Sequence, residues 1–160
     1  MKNRPAPGTL RIIGGRWRSR RLTFPPIAQL RPTADRVRET LFNWLQEKVP
    51  GATCVDLYAG SGACGLEALS RGARHVTFVE KSPEAARAIA DNLDRLDTEA
   101  ATVCCTTVDA WLTGEDAQYQ SRGDLVVIDP PDADNAVSQS SRLLAHPGYL
   151  AAEARAYRGS

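Results

Sequence analysis

Residues 55–65 read VDLYAGSGACG, and this stretch decides the fold class. An apolar run over residues 53–58 leads directly into a loop that carries glycines at positions 60, 62 and 65. Glycine allows the backbone to turn tightly and allows another group to approach it closely. The residues after the loop predict a helix over residues 66–71, which Gly72 ends. The stretch therefore predicts a buried strand, a tight loop and a helix in succession.

The same alternation continues toward the C-terminus. Three further apolar stretches predict strands, and two segments between them predict helices. The predicted strands are residues 75–80, 101–105 and 124–129, and the predicted helices are residues 83–96, capped by Ser82, and residues 108–112. Strands that alternate with helices form parallel sheets with helices on both faces. The fold class is therefore predicted to be α/β, with a doubly wound and mostly parallel Rossmann-like sheet.

The N-terminal part has a different pattern. Residues 10–24 contain two short apolar runs on either side of Gly14 and Gly15, which predicts a β-hairpin that turns at the two glycines. Thr33 is a good N-cap for a helix that extends to Lys48, because apolar residues recur there at helical spacing. We therefore expect a hairpin arm followed by a helix before the alternation begins.

Charge is distributed unevenly along the chain. The formal net charge is +1, yet residues 1–38 hold ten of the 20 Lys and Arg residues and only one of the 19 Asp and Glu residues. This asymmetry predicts a segment that meets an anionic partner. The candidate contacts are the hairpin arginines Arg11, Arg16, Arg18, Arg20 and Arg21. We expect a basic tail and hairpin arm over residues 1–32 and one α/β domain over residues 33–160.

Composition argues against several classes of protein. No apolar run approaches the roughly 20 residues needed to cross a bilayer, and the first 30 residues contain no apolar stretch of the signal-peptide kind. The four cysteines lack C-x-x-C spacing, and His75 and His146 are isolated in the sequence. We therefore expect a cytoplasmic monomer with buried, reduced thiols, no metal site and no membrane partner.

The glycine loop alone does not identify its ligand. Gly60, Gly62 and Gly65 satisfy G-x-G-x-x-G, which is typical of dinucleotide sites and leaves an NAD(P)-dependent oxidoreductase as an alternative. Asp56, however, lies inside the end of the strand, where a carboxylate would repel a pyrophosphate. It is suited instead to accept hydrogen bonds or to pair with the charged amino-acid moiety of S-adenosylmethionine.

A second acidic residue supports this interpretation. Glu80 ends the second strand, 24 residues after Asp56, where an acid can accept hydrogen bonds from both ribose hydroxyls. Asp109 follows the third strand, where such folds contact the adenine ring, although a helix N-cap explains it equally well. The predicted cofactor is S-adenosylmethionine, and the residues predicted to bind it are Asp56, Tyr58, Gly60, Gly62, Glu80, Asp109 and Ala110.

Asp129, Pro130 and Pro131 follow the fourth strand of the alternation. Ligands of open parallel sheets bind at the carboxyl ends of the strands. The lone pair of an aromatic exocyclic amine is delocalised, so it is a poor nucleophile until its N–H groups are held by acceptors. A carboxylate and a backbone carbonyl, kept still by two prolines, would align that lone pair with the sulfonium methyl group. We therefore predict Asp129, Pro130 and Pro131 to be the catalytic residues.

Four sequence blocks together resemble one known family. They are RIIGGRWRSRRL at residues 11–22, RPTADRVRETLFNWL at residues 31–45, VDLYAGSGACGLEALSRGA at residues 55–73 and VVIDPP at residues 126–131. In this order they resemble the bacterial 16S ribosomal RNA guanine-N2 methyltransferases of the RsmD family. The resemblance implies a class I methyltransferase fold, S-adenosylmethionine as donor and N2 of guanine 966 as acceptor. It also implies 16S ribosomal RNA or the 30S subunit as partner.

Two differences from the family pattern keep an alternative open. The family has an aromatic residue after the two prolines, where it stacks on the target base, but this chain has Asp132. The chain ends at Ser160, so we expect the C-terminal strands of the family's sheet to be incomplete. The alternative to the enzyme is a catalytically impaired RNA-binding or ribosome-assembly paralogue.

Overall fold

The computed structural model describes residues 6–26, 35–114, 125–128 and 150–153. Its strands are β1 (Gly8–Arg11), β2 (Arg21–Phe24), β3 (Thr53–Leu57), β4 (His75–Glu80), β5 (Ala101–Cys105), β6 (Leu125–Ile128) and β7 (Leu150–Glu153). Its helices are α1 (Asp35–Trp44), α2 (Ala63–Ser70), α3 (Pro83–Arg95) and α4 (Val108–Thr113). Strands and helices alternate from β3 to β6, as the sequence predicts.

A parallel sheet forms the centre of the described structure. Its strand order is β5-β4-β3-β6-β7, and each neighbouring pair is parallel. The chain moves outward in one direction from β3 to β5 and continues on the other side of β3 with β6 and β7. The crevice at such a reversal is where open α/β sheets bind their ligands. The predicted α/β fold class with a doubly wound parallel sheet is confirmed. Residues 154–160 lie outside the described part.

The predicted N-terminal hairpin forms, but its turn is longer than the sequence pattern indicates. β1 and β2 are antiparallel, with Arg11 opposite Arg21 at the inner end of the ladder. The connection therefore spans residues 12–20, which we call the arm loop, instead of a tight turn at Gly14 and Gly15. Backbone hydrogen bonds from Ile12 N to Arg20 O and from Ser19 N to Ile12 O close the base of this loop.

The hairpin packs against the helices of the α/β layer. Its apolar side chains belong to the same buried cluster as side chains of α1, α2 and α3. The hairpin members of this cluster are Leu10, Ile12, Trp17, Leu22 and Phe24, each no more than 8% exposed. The arginines of the hairpin are exposed, so the arm combines an apolar inner side with a basic outer side.

The helix boundaries follow local capping chemistry. Ser82 caps α3 as predicted, because its side chain accepts a hydrogen bond from Ala85 N. Helix α2 begins at Ala63, three residues before the predicted start, because Gly62 adopts a left-handed conformation and ends the loop there. Helix α1 ends at Trp44 and is followed by turns, whereas the pattern predicts a helix as far as Lys48. Its predicted cap, Thr33, lies outside the described residues.

Candidate functional site

Asp56 joins the glycine loop to the helix that follows it. The residue lies in β3 with 3% of its surface exposed, and its Oδ2 accepts a hydrogen bond from Gly65 N at 2.9 Å. A carboxylate bound to a main-chain N–H in the first turn of a helix is a charge-assisted bond, which is stronger than a neutral one. The predicted ability of Asp56 to accept hydrogen bonds is therefore used, at least in part, to fix the start of α2.

Positive φ angles and close packing explain the glycines. Gly60 and Gly62 have φ angles of 59° and 80°, in the left-handed region that residues with a Cβ rarely adopt. Tyr58 also lies in this region, with φ of 57°. Gly65 has a different role, since a Cβ there would lie 2.2 Å from Cε1 of Phe78 on β4. The third glycine thus allows α2 to pack directly on the sheet.

Glu80 connects the loop that follows β3 with the segment that follows β4, at the carboxyl ends of the two strands. Its Oε2 accepts a hydrogen bond from Gly60 N at 2.7 Å, and its Oε1 accepts one from Ser82 N at 3.1 Å. The residue is 9% exposed. A carboxylate has about four acceptor positions, so these two bonds leave capacity for hydroxyl donors. The geometry is compatible with the predicted ribose contact and adds a structural role in the loop.

Tyr58 and Asp109 approach each other near the start of α4. Burial and the negative charge of Asp109 raise the pKa of the Tyr58 hydroxyl above its usual value, so Tyr58 remains protonated at neutral pH. The N-cap of α4 is Thr107, whose Oγ1 accepts a hydrogen bond from Ala110 N at 3.1 Å. The alternative role of Asp109 as that cap is therefore wrong. Asp109 and Ala110 are both exposed.

The residues predicted to carry the chemistry lie outside the described part of the chain. Asp129, Pro130 and Pro131 follow β6, and Asp132 comes next. The end of β6 itself is described, and Ile128 is the register partner of Leu57 at the end of β3. The chain thus leaves β6 beside the strand that leads into the glycine loop, as the predicted site requires.

The crevice fits the polar groups of S-adenosylmethionine. Helix α2 starts at a glycine N-cap with no side-chain cap hydrogen bond. The positive end of a helix dipole suits a carboxylate such as that of the methionine moiety, and Asp56 already provides one carboxylate there, at Gly65 N. Glu80 offers acceptors for ribose hydroxyls from the neighbouring strand. The start of α2 and the Glu80 carboxylate thus provide for two different parts of this ligand, its carboxylate and its ribose hydroxyls.

The five predicted RNA-binding arginines lie on the outer side of the hairpin, away from the crevice. Ser70 O, at the end of α2, accepts a hydrogen bond from Arg16 N at 2.9 Å. Gly72 O accepts one from Gly51 N just before β3, so the end of α2 is at the amino edge of the sheet. The five residues of β3 separate this edge from the crevice by about 16 Å. The structure therefore does not bring the tip of the arm to the predicted catalytic edge.

The arginines differ in their local contacts. Arg11 Nε lies 3.6 Å from Asp35 Oδ2, and Arg20 Nη2 donates to the main-chain oxygen of Arg95 at 3.2 Å. The Arg16 guanidinium lies 4.2 Å from the centre of the Trp17 ring, close enough for a cation–π contact. Arg18 and Arg21 are exposed. All five charges can therefore reach an anion in solvent.

Sequence reasoning missed the polar group that holds the arm in place. Glu67 on α2 is fully buried and accepts hydrogen bonds from Ile13 N at 2.9 Å and Gly14 N at 3.1 Å. Arg38 on α1, counted above among the basic residues, is also fully buried. Its Nη1 lies 3.9 Å from Glu67 Oε1. The available signal was a single acid in the mostly apolar helix ACGLEALS.

The remaining expectations concern metals, thiols and membranes. Within the described ranges, no three His, Cys, Asp or Glu side chains form a group that could hold a metal ion. Cys54 and Cys64 are buried thiols that form no disulfide, as predicted, whereas Cys104 is half-buried and Cys105 is exposed at the end of the edge strand β5. In the part of the chain that the structure describes, no helix is long and apolar enough to cross a membrane.

Known proteins share this fold and these motifs. Residues 10–158 match the family described as Conserved hypothetical protein 95. Ribosomal RNA small subunit methyltransferase D of Escherichia coli is 42% identical over 155 residues, which cover 97% of this chain and 76% of that protein. The protein of the same name from Haemophilus influenzae is 41% identical over 154 residues, covering 95% of this chain and 79% of its own length.

A solved structure agrees with these relatives. The structure of a presumed methyltransferase from Escherichia coli superposes with a TM-score of 0.78 at 40% identity, covering 89% of this chain and 76% of that chain. The resemblance drawn from the four sequence blocks is confirmed. The chain therefore belongs to the family of ribosomal RNA small subunit methyltransferase D, and it has the class I fold of S-adenosylmethionine-dependent methyltransferases.

Proposed function

We propose that this chain transfers a methyl group from S-adenosylmethionine to the exocyclic N2 of a guanine in 16S ribosomal RNA. By family resemblance the base is guanine 966. The observation that carries the proposal is the crevice at the ends of β3 and β4. There Asp56 and Glu80 fix a glycine loop in front of α2, a helix whose N-cap is Gly62. The relatives named as ribosomal RNA small subunit methyltransferases supply the class of substrate.

In this proposal the loop residues bind and orient the donor. Glu80 accepts hydrogen bonds from the ribose hydroxyls while it keeps Gly60 in position. The start of α2, held by Asp56, receives the carboxylate of the methionine moiety. Asp109 and Ala110, at the start of α4, flank the adenine ring. S-adenosylmethionine supplies an electrophilic methyl group on a sulfonium when it is bound.

The acceptor amine is held by the residues that follow β6. Asp129 accepts one N–H of the guanine amino group, and a main-chain carbonyl held in place by Pro130 and Pro131 accepts the other. This arrangement points the nitrogen lone pair along the line of transfer, and alignment of this kind accounts for much of the rate in group transfer. The amine loses a proton as the methyl group arrives, and in this proposal the Asp129 carboxylate receives it.

The hairpin arginines contribute RNA affinity in this proposal. Their distance from the crevice means that they contact phosphates remote from the target base. Phosphate contacts position a nucleic acid without reading its sequence, and folded RNA is recognised largely by shape. The pocket then selects the base, and the arm binds the RNA backbone.

Transfer of labelled methyl groups tests the proposal against the impaired-paralogue alternative. Wild-type protein, tritiated S-adenosylmethionine and 30S subunits lacking the modification should give label in 16S RNA. Asp129→Ala should give none while it binds S-adenosylhomocysteine with wild-type affinity. Wild-type protein that binds S-adenosylhomocysteine and RNA but transfers no label would favour the impaired paralogue.

Calorimetry separates the donor from a nicotinamide cofactor. We expect heat of binding with S-adenosylhomocysteine and none with NADH. The opposite result would restore the oxidoreductase alternative that G-x-G-x-x-G leaves open. The relatives are methyltransferases, which disfavours that alternative.

A further inference from the structure

The arm loop is attached to α2 mainly through its main chain. Glu67 accepts the N–H groups of two consecutive residues, Ile13 and Gly14. Ser70 Oγ accepts a hydrogen bond from Trp17 N at 3.0 Å and donates one to Gly14 O at 2.6 Å. The main-chain oxygen of Ser70 also accepts the N–H of Arg16. We call Glu67 and Ser70 the arm clamp.

Gly15 allows this close approach. Its φ angle is 79°, and a Cβ at this position would lie 2.0 Å from Ser70 O. A residue larger than glycine would therefore move the loop away from α2. The two glycines that suggest a hairpin turn in the sequence instead allow the loop to lie against the helix.

The arm clamp contains a buried charge, the Glu67 carboxylate, and removing a charge from water opposes folding unless the charge is balanced. Glu67 is balanced by Arg71 Nε at 3.3 Å and by Arg38 Nη1 at 3.9 Å. The Nε and Nη1 atoms of Arg38 are buried without a hydrogen-bond partner. Buried ion pairs often stabilise less than apolar residues of similar size, and in some proteins they are kept because they specify one conformation. Here the Glu67 carboxylate binds the main chain of the arm loop at two consecutive residues.

The arm loop presents two arginines to solvent, one on each side of a buried tryptophan. Trp17 is 8% exposed and packs into the core, while its neighbours Arg16 and Arg18 are exposed. Arg16 is further restrained by its contact with the Trp17 ring. A preorganised contact surface loses less conformational entropy on binding, and this raises affinity.

We propose that Glu67 and Ser70 are positioning residues for RNA binding, because they fix the loop that carries Arg16 and Arg18. This inference rests on the proposed function, in which these arginines contact ribosomal RNA. Neither clamp residue touches the RNA. Each acts through the main chain of the arm loop.

Ser70→Ala is the primary test, because it removes two hydrogen bonds and leaves the buried charges in place. The KM for 30S subunits should rise about 3- to 10-fold, with kcat within about twofold of wild type, as expected for loss of hydrogen bonds that order a contact surface. S-adenosylhomocysteine affinity should not change. Glu67→Gln should also raise the KM for 30S subunits. If the Glu67→Gln protein does not fold, Ser70→Ala alone decides the test.

A double-mutant cycle separates positioning from general stability. In a protein that already carries Arg16→Ala and Arg18→Ala, the added Ser70→Ala change should no longer raise KM, because the side chains it positions are absent. Val76→Ala truncates a buried residue of β4 that is not part of the clamp. It serves as a control for lost stability and should leave KM unchanged.

The outcomes distinguish the two hypotheses. If Arg16→Ala with Arg18→Ala leaves KM unchanged, the RNA contact in the proposed function is wrong. If that pair raises KM but Ser70→Ala does not, or if the two effects are additive, the arginines bind RNA and the positioning role of the clamp is wrong.

Discussion

Replacement of Glu80 by Gln tests the geometry of the cofactor crevice. The two oxygens of the Glu80 carboxylate accept hydrogen bonds from Gly60 N at 2.7 Å and from Ser82 N at 3.1 Å. Glutamine keeps one oxygen and turns the other into an NH2 group, so one of the two main-chain N–H groups faces a donor. Loss of a hydrogen bond to a charged group costs roughly 1.5–3 kcal/mol.

This cost predicts two measurable changes. For a chain of this length, about 2–4 °C of melting temperature is lost for each kcal/mol, so the apo protein should melt about 3–12 °C lower. The ribose hydroxyls lose a charged acceptor as well, so affinity for S-adenosylhomocysteine should fall about 10- to 150-fold. Differential scanning calorimetry measures the first change and isothermal titration the second.

Glu84→Gln is a matched control, since it makes the same chemical change at an exposed residue in the first turn of α3. It should lower the melting temperature only slightly, because a surface charge at a helix start contributes about 0.3–1 kcal/mol. Its affinity for S-adenosylhomocysteine should be that of the wild type. Wild-type affinity in Glu80→Gln would refute the ribose role, even if the protein were less stable.

Three other predictions follow from the arm, the base pocket and the sheet. Changing Arg16, Arg18 and Arg20 together to Ala should lower RNA affinity and reduce the slope of log affinity against log salt concentration by about 2–3. An unchanged slope in filter-binding assays would show that the arm is not part of the RNA interface. Asp132→Phe should increase kcat/KM if a missing stacking platform limits transfer, and steady-state assays that show no gain would exclude that limit. Burial lowers the pKa of His75 below 6.5, so the unfolded chain takes up the proton first and stability should fall between pH 7 and pH 5. His75→Gln should flatten that decline in urea melts, and an identical pH profile would show that another group titrates.

The α/β layer could be predicted from the sequence because its signals are local. β4 and β5 match the predicted bounds, since a short apolar run between turn residues determines a buried strand. The cap of α3 was equally predictable, because Ser82 followed by Pro83 is a strong start signal. The alternation of strands with helices also predicted that the sheet is parallel.

The arm loop was mispredicted because its glycines serve a contact that is distant in sequence. Gly14 and Gly15 are typical of a hairpin turn, but here they lie against Ser70, more than 50 residues away. Glu67 was missed for the same reason, since a single acid in a helix gives no indication of its partners. Long-range polar contacts of this kind have no periodic signature in a single sequence.

The candidate site was predicted in type more accurately than in detail. The sequence indicated Asp56 and Glu80 as acceptors for a ligand, and the structure adds that both bind main-chain N–H groups of the loop itself. Asp109 was considered as a helix N-cap because Asp favours that position, but Thr favours it as well, and Thr107 was overlooked. The choice was settled by the bond from Ala110 N to Thr107 Oγ1.

The central claim is methyl transfer to guanine N2, and the most direct measurement identifies the product nucleoside. Unmodified 30S subunits are incubated with the protein and S-adenosylmethionine, and nuclease digests of the 16S RNA are then analysed by mass spectrometry. We predict one new N2-methylguanosine for each 16S RNA, mapped to position 966, and none with Asp129→Ala. A methyl group on another atom or another base, or no methyl group from a protein that binds S-adenosylhomocysteine, would contradict the proposal.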